Sequence, residues 1–439
     1  MTPSHAIGIA VVVVIVMLAK ASGLLLDFIF LYPLFMSFLW MCGGLYFYWH
    51  RERHEMRPET PPPLDSDAPF VSIIVPCFDE AENVVETIGA AAAQNYPNFE
   101  VIAINDGSND DTGAVLNDLM TRYPKLRVVQ LTKNQGKAMA LRMGALVARS
   151  EYLVCIDGDA LLDPNAVAFI TQPLVRHPRV GAVTGNPRIR TRSTLLGRIQ
   201  VGEFASIIGL IKRAQRVYGN IFTVSGVIVA YRRAALHRCG YWNLDTVTED
   251  IDASWMLQTD HWSIQYEPSA LCWILMPETF KGLWRQRLRW AQGGAEVFLR
   301  QVRRLWDWRR RRMWGVVVEY CLTLGWAYAL LYSIVLWAIG KFVPMPAGLN
   351  VPSIEPPAFW GLLLATTCLM QFTVALWIES RYERGIVGLI VWTIWYPFFF
   401  WILSLVTMLV GFPKALLARR GQRARWVSPD RGVRPSDAG

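Results

Sequence analysis

From Ala6 to Trp49 the chain carries only two formal charges, Lys20 and Asp27. A helix needs ~20 apolar residues to cross a bilayer. The stretch is therefore long enough for two spans, with a turn near Asp27 and Lys20 snorkelling outward. A cleaved leader is the rival reading, since Ala19-Lys20-Ala21 resembles a cleavage box. Against it, Met1–His5 has no Lys or Arg, and a second apolar stretch over 28–49 follows at once. Three more apolar stretches lie at about 315–340, 358–378 and 386–411. What stands between the two groups must fold in water. The low charged fraction, 18%, suits that division and excludes a disordered chain, a coiled coil or a collagen-like rod.

The topology arithmetic conflicts at the C-terminus. Three full crossings would put the tail on the side opposite the soluble region. Lys414, Arg419, Arg420, Arg423 and Arg425 argue for the same side. A re-entrant stretch, or a break at Pro397, would reconcile the two; otherwise the charge rule fails here.

Residues 51–67 are polar, include Pro61-Pro62-Pro63 and read as a linker. Residues 68–278 read as a soluble α/β domain. Val71–Val75, Val101–Ile104, Arg127–Leu131 and Tyr152–Ile156 are short apolar runs expected as strands. Helices are expected over 82–94 and 138–148. This alternation predicts a mostly parallel sheet with ligand residues at the strands' C-terminal ends.

Residues 279–313 hold eleven Lys or Arg against Glu296 and Asp307. Leu283, Trp284, Leu288, Trp290, Phe298, Trp306 and Trp308 are interleaved with them. Basic helices with Trp and Leu suit a membrane–water interface. The basic excess is therefore assigned to a lipid bilayer, and no nucleic-acid partner is expected. Seven cysteines include no C-x-x-C pair, which disfavours a zinc site.

Each predicted strand ends in acidic or small polar residues: Pro76-Cys-Phe-Asp-Glu80, Asn105-Asp-Gly-Ser108, Asn134-Gln-Gly-Lys-Ala138 and Asp157-Gly-Asp159. Four such clusters after four parallel strands converge on one edge. An Asp-x-Asp pair supplies hard oxygen ligands for Mg2+ or Mn2+ bridging a diphosphate. Lys137 is a candidate phosphate contact, and Asp106 a candidate acceptor for a base's imide N–H. Together these suggest a nucleoside-diphosphate donor.

Thr248-Glu-Asp250 and Gln286-Arg-Leu-Arg-Trp290 complete a pattern. With the strand-end clusters, in this order, it resembles the processive, inverting family-2 glycosyltransferases, which include cellulose, chitin and hyaluronan synthases. Gly185–Thr194, Val201-Gly-Glu203, Gly226-Val-Ile228, Cys272–Glu278 and Trp290–Phe298 are similar to the bacterial poly-β-1,6-N-acetylglucosamine synthases within that family. The resemblance implies a GT-A type fold and Asp250 as the base that deprotonates the acceptor hydroxyl. It implies donor contacts from Asp79, Glu80, Asp106, Lys137 and Asp157, and a metal held by Asp159 and Asp157. Glu249, Gln286, Arg289 and Trp290 would lie near the diphosphate and acceptor. Asp79 departs from the family, which often has Asn there.

The expected organisation is two transmembrane helices over 1–50, the linker over 51–67, and a cytoplasmic GT-A domain over 68–278. A basic amphipathic interface region over 279–313, about three membrane segments over 314–411 and a basic tail over 412–439 follow. The implied partners are UDP-N-acetylglucosamine, the growing polysaccharide, the bilayer, a small membrane subunit and cyclic di-GMP, in a bacterial inner membrane. The rivals are a synthase with another sugar or linkage, and an inactive export scaffold.

Overall fold

The computed structural model describes residues 24–63, 68–345, 351, 359–418, 421 and 423. Most of the first expected span, with Lys20, lies outside the described residues, as do Arg419, Arg420 and Arg425.

Helix α1 (Leu24–His50) precedes the linker. The chain then alternates β1 (Val71–Cys77), α2 (Val84–Ala92), β2 (Phe99–Asn105), α3 (Thr112–Arg122), β3 (Leu126–Gln130), α4 (Lys137–Val147) and β4 (Tyr152–Ile156). Next come β5 (Leu161–Leu162), α5 (Ala166–Arg176), β6 (Val180–Ile189), α6 (Leu195–Phe204), α7 (Ile211–Tyr218), β7 (Ile228–Arg232), α8 (Arg233–Cys239), α9 (Glu249–Thr259) and β8 (Ser263–Ile274). Four long helices follow among the described residues: α10 (Phe280–Leu305), α11 (Trp314–Gly340), α12 (Phe359–Glu379) and α13 (Tyr396–Leu417).

One eight-stranded sheet runs in the order β3-β2-β1-β4-β7-β6-β8-β5. The first four strands are all parallel, so their C-terminal ends share one edge, as the βα alternation requires. The second half is mixed. Strand β7 is antiparallel to both β4 and β6, β5 is antiparallel to β8, and β6 pairs parallel with β8. Strands β1 and β2 are buried along their whole length. That explains their unbroken apolar runs, because both faces of the sheet are covered. Ile73, Val75, Val101 and Ala103 face one apolar layer, while Ile74, Ile102 and Ile104 face the other. The alternation is the period of a strand.

Four described helical segments are long and apolar enough to cross a membrane: Leu24–His54, Trp308–Gly340, Phe359–Glu379 and Phe399–Leu417. Helix α1 contains Pro33, which has no N–H for the carbonyl of Ile29. The indole N–H of Trp326 on α11 donates to that carbonyl at 2.9 Å. The helix pair thus supplies what the proline removes.

Helix α13 runs alongside α10. Phe400 and Leu403 share an apolar cluster with Leu283, and further along Gly411 presses on Ala291 and Gln292. Beyond α13, the Arg423 guanidinium donates to Gln135 Oε1 at 2.8 Å and the Gly421 N–H to Asp245 at 3.4 Å. Both ends of α13 therefore meet the soluble domain or the helix that follows it. The break considered at Pro397 falls just before it: Ile386–Leu389 and Ile390–Thr393 are separate short turns. Pro397 then stands in the first turn of α13, where proline is tolerated.

A buried ionic network ties the spans to the domain. The Arg213 guanidinium on α7 pairs with both oxygens of Glu52, at 2.6 and 2.9 Å, just beyond α1. It also pairs with Glu379, the last residue of α12. Glu379 accepts from Arg188 at 2.8 Å and Asn186 at 3.1 Å on β6, and the Tyr382 hydroxyl donates to Glu52 at 2.7 Å. Arg213, Glu52 and Glu379 are all 0% exposed. Their mutual pairing is what makes such burial tolerable.

Candidate active site

The loop after β1 carries Asp79 and Glu80. Asp79 sits at φ 53°, a left-handed conformation that Asp tolerates better than most residues. Its N–H donates to Ser108 Oγ at 3.0 Å, and its Oδ1 accepts the Asn109 N–H at 2.8 Å. Asp79 thereby ties the β1 loop to the β2 loop. An Asn oxygen would accept the same bond, so the departure from the family pattern leaves this contact intact. Glu80 is buried; its N–H donates to Thr112 Oγ1 at 2.8 Å and its carboxylate accepts from Asn83 at 2.9 Å. A Cβ on Gly158 would lie 2.9 Å from the Pro76 carbonyl and 3.1 Å from Glu80 Cγ. The Asp157-Gly158-Asp159 turn after β4 is thus seated directly on the end of β1, and Asp159 is buried there.

Asp106, after β2, is 0% exposed. Its two oxygens accept the N–H groups of Gln135 at 2.9 Å and Gly136 at 2.8 Å. Burial pushes its carboxyl up, and those two bonds work against that shift. Sequence reasoning expected Asp106 to accept a hydrogen bond from a base's imide N–H. In the fold Asp106 holds the loop that delivers Lys137, and each oxygen keeps a second lone pair. Gly136 at φ 94° makes the turn into α4 possible.

Lys137, the first residue of α4, lies 2.5 Å from Asp157 Oδ1 and 2.9 Å from Glu249 Oε1. Burial alone would lower its pKa, but the two carboxylates outweigh it and hold the ammonium well above its ordinary range. Glu249 is correspondingly held below the usual carboxylate range, the attraction of Lys137 overcoming its burial.

Asp250 follows in the first turn of α9. Its carboxyl is pushed up to about 6, first by burial and then by the charge of Glu249. Lys137, the Ile251 N–H and Arg289 resist that shift. A side chain on Gly226 would come within 3.2 Å of Asp250 Oδ2 and 3.4 Å of Lys137 Nζ. Bare backbone therefore forms the floor between the Asp250 carboxyl and the Lys137 ammonium. Helix α9 is clamped from α10: Arg300 reaches Asp245 at 2.7 Å and Asp252 at 3.3 Å. A Cβ at Gly293 would overlap Thr248, so only glycine lets α10 lie this close to the Thr248-Glu-Asp250 segment.

On α10, Arg289 is exposed and donates to the Val247 carbonyl at 3.3 Å. It joins the acidic group electrostatically. Among the described residues neither Gln286 nor Trp290 makes a hydrogen bond or ion pair with Asp157, Glu249 or Asp250. The Gln286 amide lies against Met276 Sδ at 3.8 Å. Trp290 is half-buried beside Phe204, with the Arg287 guanidinium 4.2 Å from its ring centroid. One face of Trp290 is therefore occupied.

Lys212 was missed by sequence reasoning. It is buried on α7 and donates to Ser225 Oγ at 2.5 Å and Thr184 Oγ1 at 3.2 Å. Burial lowers its ammonium to about 7, against the pull of Asp250. Ser225 precedes Gly226, so this cation lies under the floor of the site. Its only sequence signal is a lysine after the apolar run Ile207–Ile211, which does not distinguish it from a surface residue.

Residues 68–293 match the family described as glycosyltransferase like family 2. The chain is 39% identical over 406 residues to a Staphylococcus epidermidis protein named poly-beta-1,6-N-acetyl-D-glucosamine synthase, covering 92% of this chain and 98% of that one. It is 38% identical over 410 residues to the protein of that name from Staphylococcus aureus strain COL, with the same coverage. Among solved structures, a mannosyltransferase from Pyrobaculum calidifontis in complex with GDP-Man and Mn2+ superposes with a TM-score of 0.59 at 21% identity. That match covers 88% of this chain and 98% of the other, and it concerns the fold.

Proposed function

The chain belongs to the family-2 glycosyltransferases, and on that premise we propose that it polymerises N-acetylglucosamine from UDP-N-acetylglucosamine into a β-1,6-linked polysaccharide. The observation that carries this reading is the meeting of Asp250, Lys137, Asp157 and Glu249 around the bare backbone of Gly226. An inverting transferase needs one base and a stabilised leaving group, without a covalent enzyme nucleophile. The acceptor's 6-hydroxyl attacks the anomeric carbon, the bond to UDP breaks, and the hydroxyl proton passes to Asp250. A base near pH 6 is ionised at neutral pH and still basic enough to take it. The Lys137 ammonium and the exposed Arg289 fork stand where a departing diphosphate gains negative charge. Asp106 and Asp79 hold the two loops that would cradle the nucleoside.

Asp157 and Asp159 are the residues that would hold Mg2+ or Mn2+. Two carboxylates on one turn suit a hard cation that takes its remaining ligands from substrate phosphates. Among the described residues no three His, Cys, Asp or Glu side chains form a cage. When bound, the ion supplies Lewis-acid neutralisation of the leaving diphosphate.

With its apolar helices the chain is a membrane protein. We assign it to a bacterial inner membrane with residues 68–278 cytoplasmic. The contacts of Gly421 and Arg423 support a tail on the same side. Helix α13 is then re-entrant or interfacial, lying along α10 without crossing. Polymer export for a biofilm, a small membrane subunit and control by cyclic di-GMP rest on the family pattern alone.

The test is product analysis. Membranes given UDP-N-acetylglucosamine and Mg2+ should release UDP and make polymer cleaved by a β-1,6-specific hydrolase. Polymer cleaved only by chitinase would overturn the linkage, and absence of UDP release would overturn the activity.

A further inference from the structure

Behind the catalytic helix lies a cavity of about 560 Å3, far from Asp250 in the fold. It is formed where the turn after α9 meets the segment Trp308–Met313 that leads into α11. Arg179 and Arg238 line it from the soluble domain, and Arg309, Arg311 and Arg312 from the membrane side. Among the described residues Asp260 is the one carboxylate in its wall, and Arg238 already engages it at 2.7 Å. Among the described residues no carboxylate pairs with Arg179, Arg309, Arg311 or Arg312. Trp262 also lines the cavity, and its buried indole N–H has no partner among the described residues.

These features select a ligand chemistry. Guanidinium forks match the paired oxygens of a phosphate. The volume lies within the usual range for a small-molecule site. The C-terminal end of α9 points here and carries about half a negative charge. Five arginines against one carboxylate outweigh it. The level in the membrane is set by the flanking aromatics: Trp306 is 82% exposed, Trp308 65% and Trp314 38%. Exposed tryptophans beside the start of a span mark the headgroup layer.

We propose that this cavity binds the phosphodiester headgroup of an anionic phospholipid, clamping the soluble domain to the bilayer at the far end of the helix that carries Asp250. Helix α9 spans eleven residues, about 16 Å at 1.5 Å per residue. The headgroup site and the base are thus opposite ends of one rigid element.

Binding can be read without reference to catalysis, so its failure and a failure of the transferase reading are distinguishable. The full chain in neutral detergent is titrated with short-chain phosphatidylglycerol, with glycerophosphoglycerol and with inorganic phosphate, and occupancy is followed by native mass spectrometry. Replacing Arg179, Arg311 and Arg312 together by Gln should weaken phosphatidylglycerol binding about tenfold or more. Replacing Arg303, Arg304 and Arg310, which lie outside the cavity, removes the same charge and should change it less than about twofold. Arg312→Glu alone should repeat the loss in a milder variant, with thermal unfolding confirming that each protein folds. Tight binding of the lipid alone supports a bilayer headgroup. Equal binding of glycerophosphoglycerol or of inorganic phosphate, with the same arginine dependence, would overturn the bilayer clamp by assigning the site to a soluble anion. Equal losses from the two triple variants, or no binding of any probe, would overturn the proposal.

Discussion

Lys137 bridges two carboxylates from opposite halves of the fold, Asp157 at 2.5 Å and Glu249 at 2.9 Å. Asp157 ends a strand of the parallel half. Glu249 begins the helix that carries Asp250, the proposed base. The bridge fixes how close that helix start lies to the turn after β4.

Lys137→Met should therefore harm both stability and turnover. It leaves two carboxylates facing each other without their cation. Removing one partner of a buried pair costs about 3 kcal/mol or more. Thermal unfolding should show that loss, and UDP release should fall about a hundredfold or further. Unchanged turnover would remove Lys137 from the site.

Asp250 must be ionised to accept a proton. With its carboxyl near pH 6, kcat/KM should rise with pH through about 6 and level off above it. Asp250→Asn should lower UDP release by about two to four orders of magnitude. The stability effect has the opposite sign. A carboxyl whose folded pKa is raised favours the folded state at low pH, and that contribution is lost as pH rises through the folded value. At pH 7 the ionised group is thus a cost, so Asp250→Asn should gain about 2 kcal/mol in denaturant unfolding.

Lys212 acts on the base without touching the acceptor. Its cation favours the ionised form of Asp250, just as Asp250 favours the charged lysine. Lys212→Met should shift the acid limb of the pH–rate profile upward by about half a unit to one unit. An unmoved limb would reduce Lys212 to a support for Ser225 and Thr184.

Single-cysteine labelling can check the side on which the tail lies. In a background without the seven natural cysteines, Arg423→Cys should react from the face that carries the soluble domain. Reaction from the opposite face would mean that α13 crosses.

The parallel half of the sheet was legible because βα repeats announce themselves locally. Val71–Val75 and Val101–Ile104 are continuous apolar runs, and each is followed by its polar loop. The mixed half was not legible, since β6 pairs with β8 across some eighty residues and no local pattern records the partner. The acidic residues that meet at Lys137 were found because they punctuate strand ends or a helix start. The burial of Asp106 was not, because a turn written Asn-Asp-Gly-Ser gives no sign that the loop at Gln135 will close over it. Hydropathy marked 386–411 as a span; Gly411, which lets α13 press on α10, is silent in such a measure.

The network at Arg213 has a consequence for synthesis. Glu52 and Arg213 leave the ribosome well before Glu379, which lies 166 residues further along the chain than Arg213. Until α12 is inserted, the Arg213 guanidinium lacks one of its two carboxylates and Arg188 lacks its own. The soluble domain is thus completed last by a membrane helix made after it. A chain stopped after residue 313 should expose unpaired charge where the finished protein has none, marking it for proteolysis.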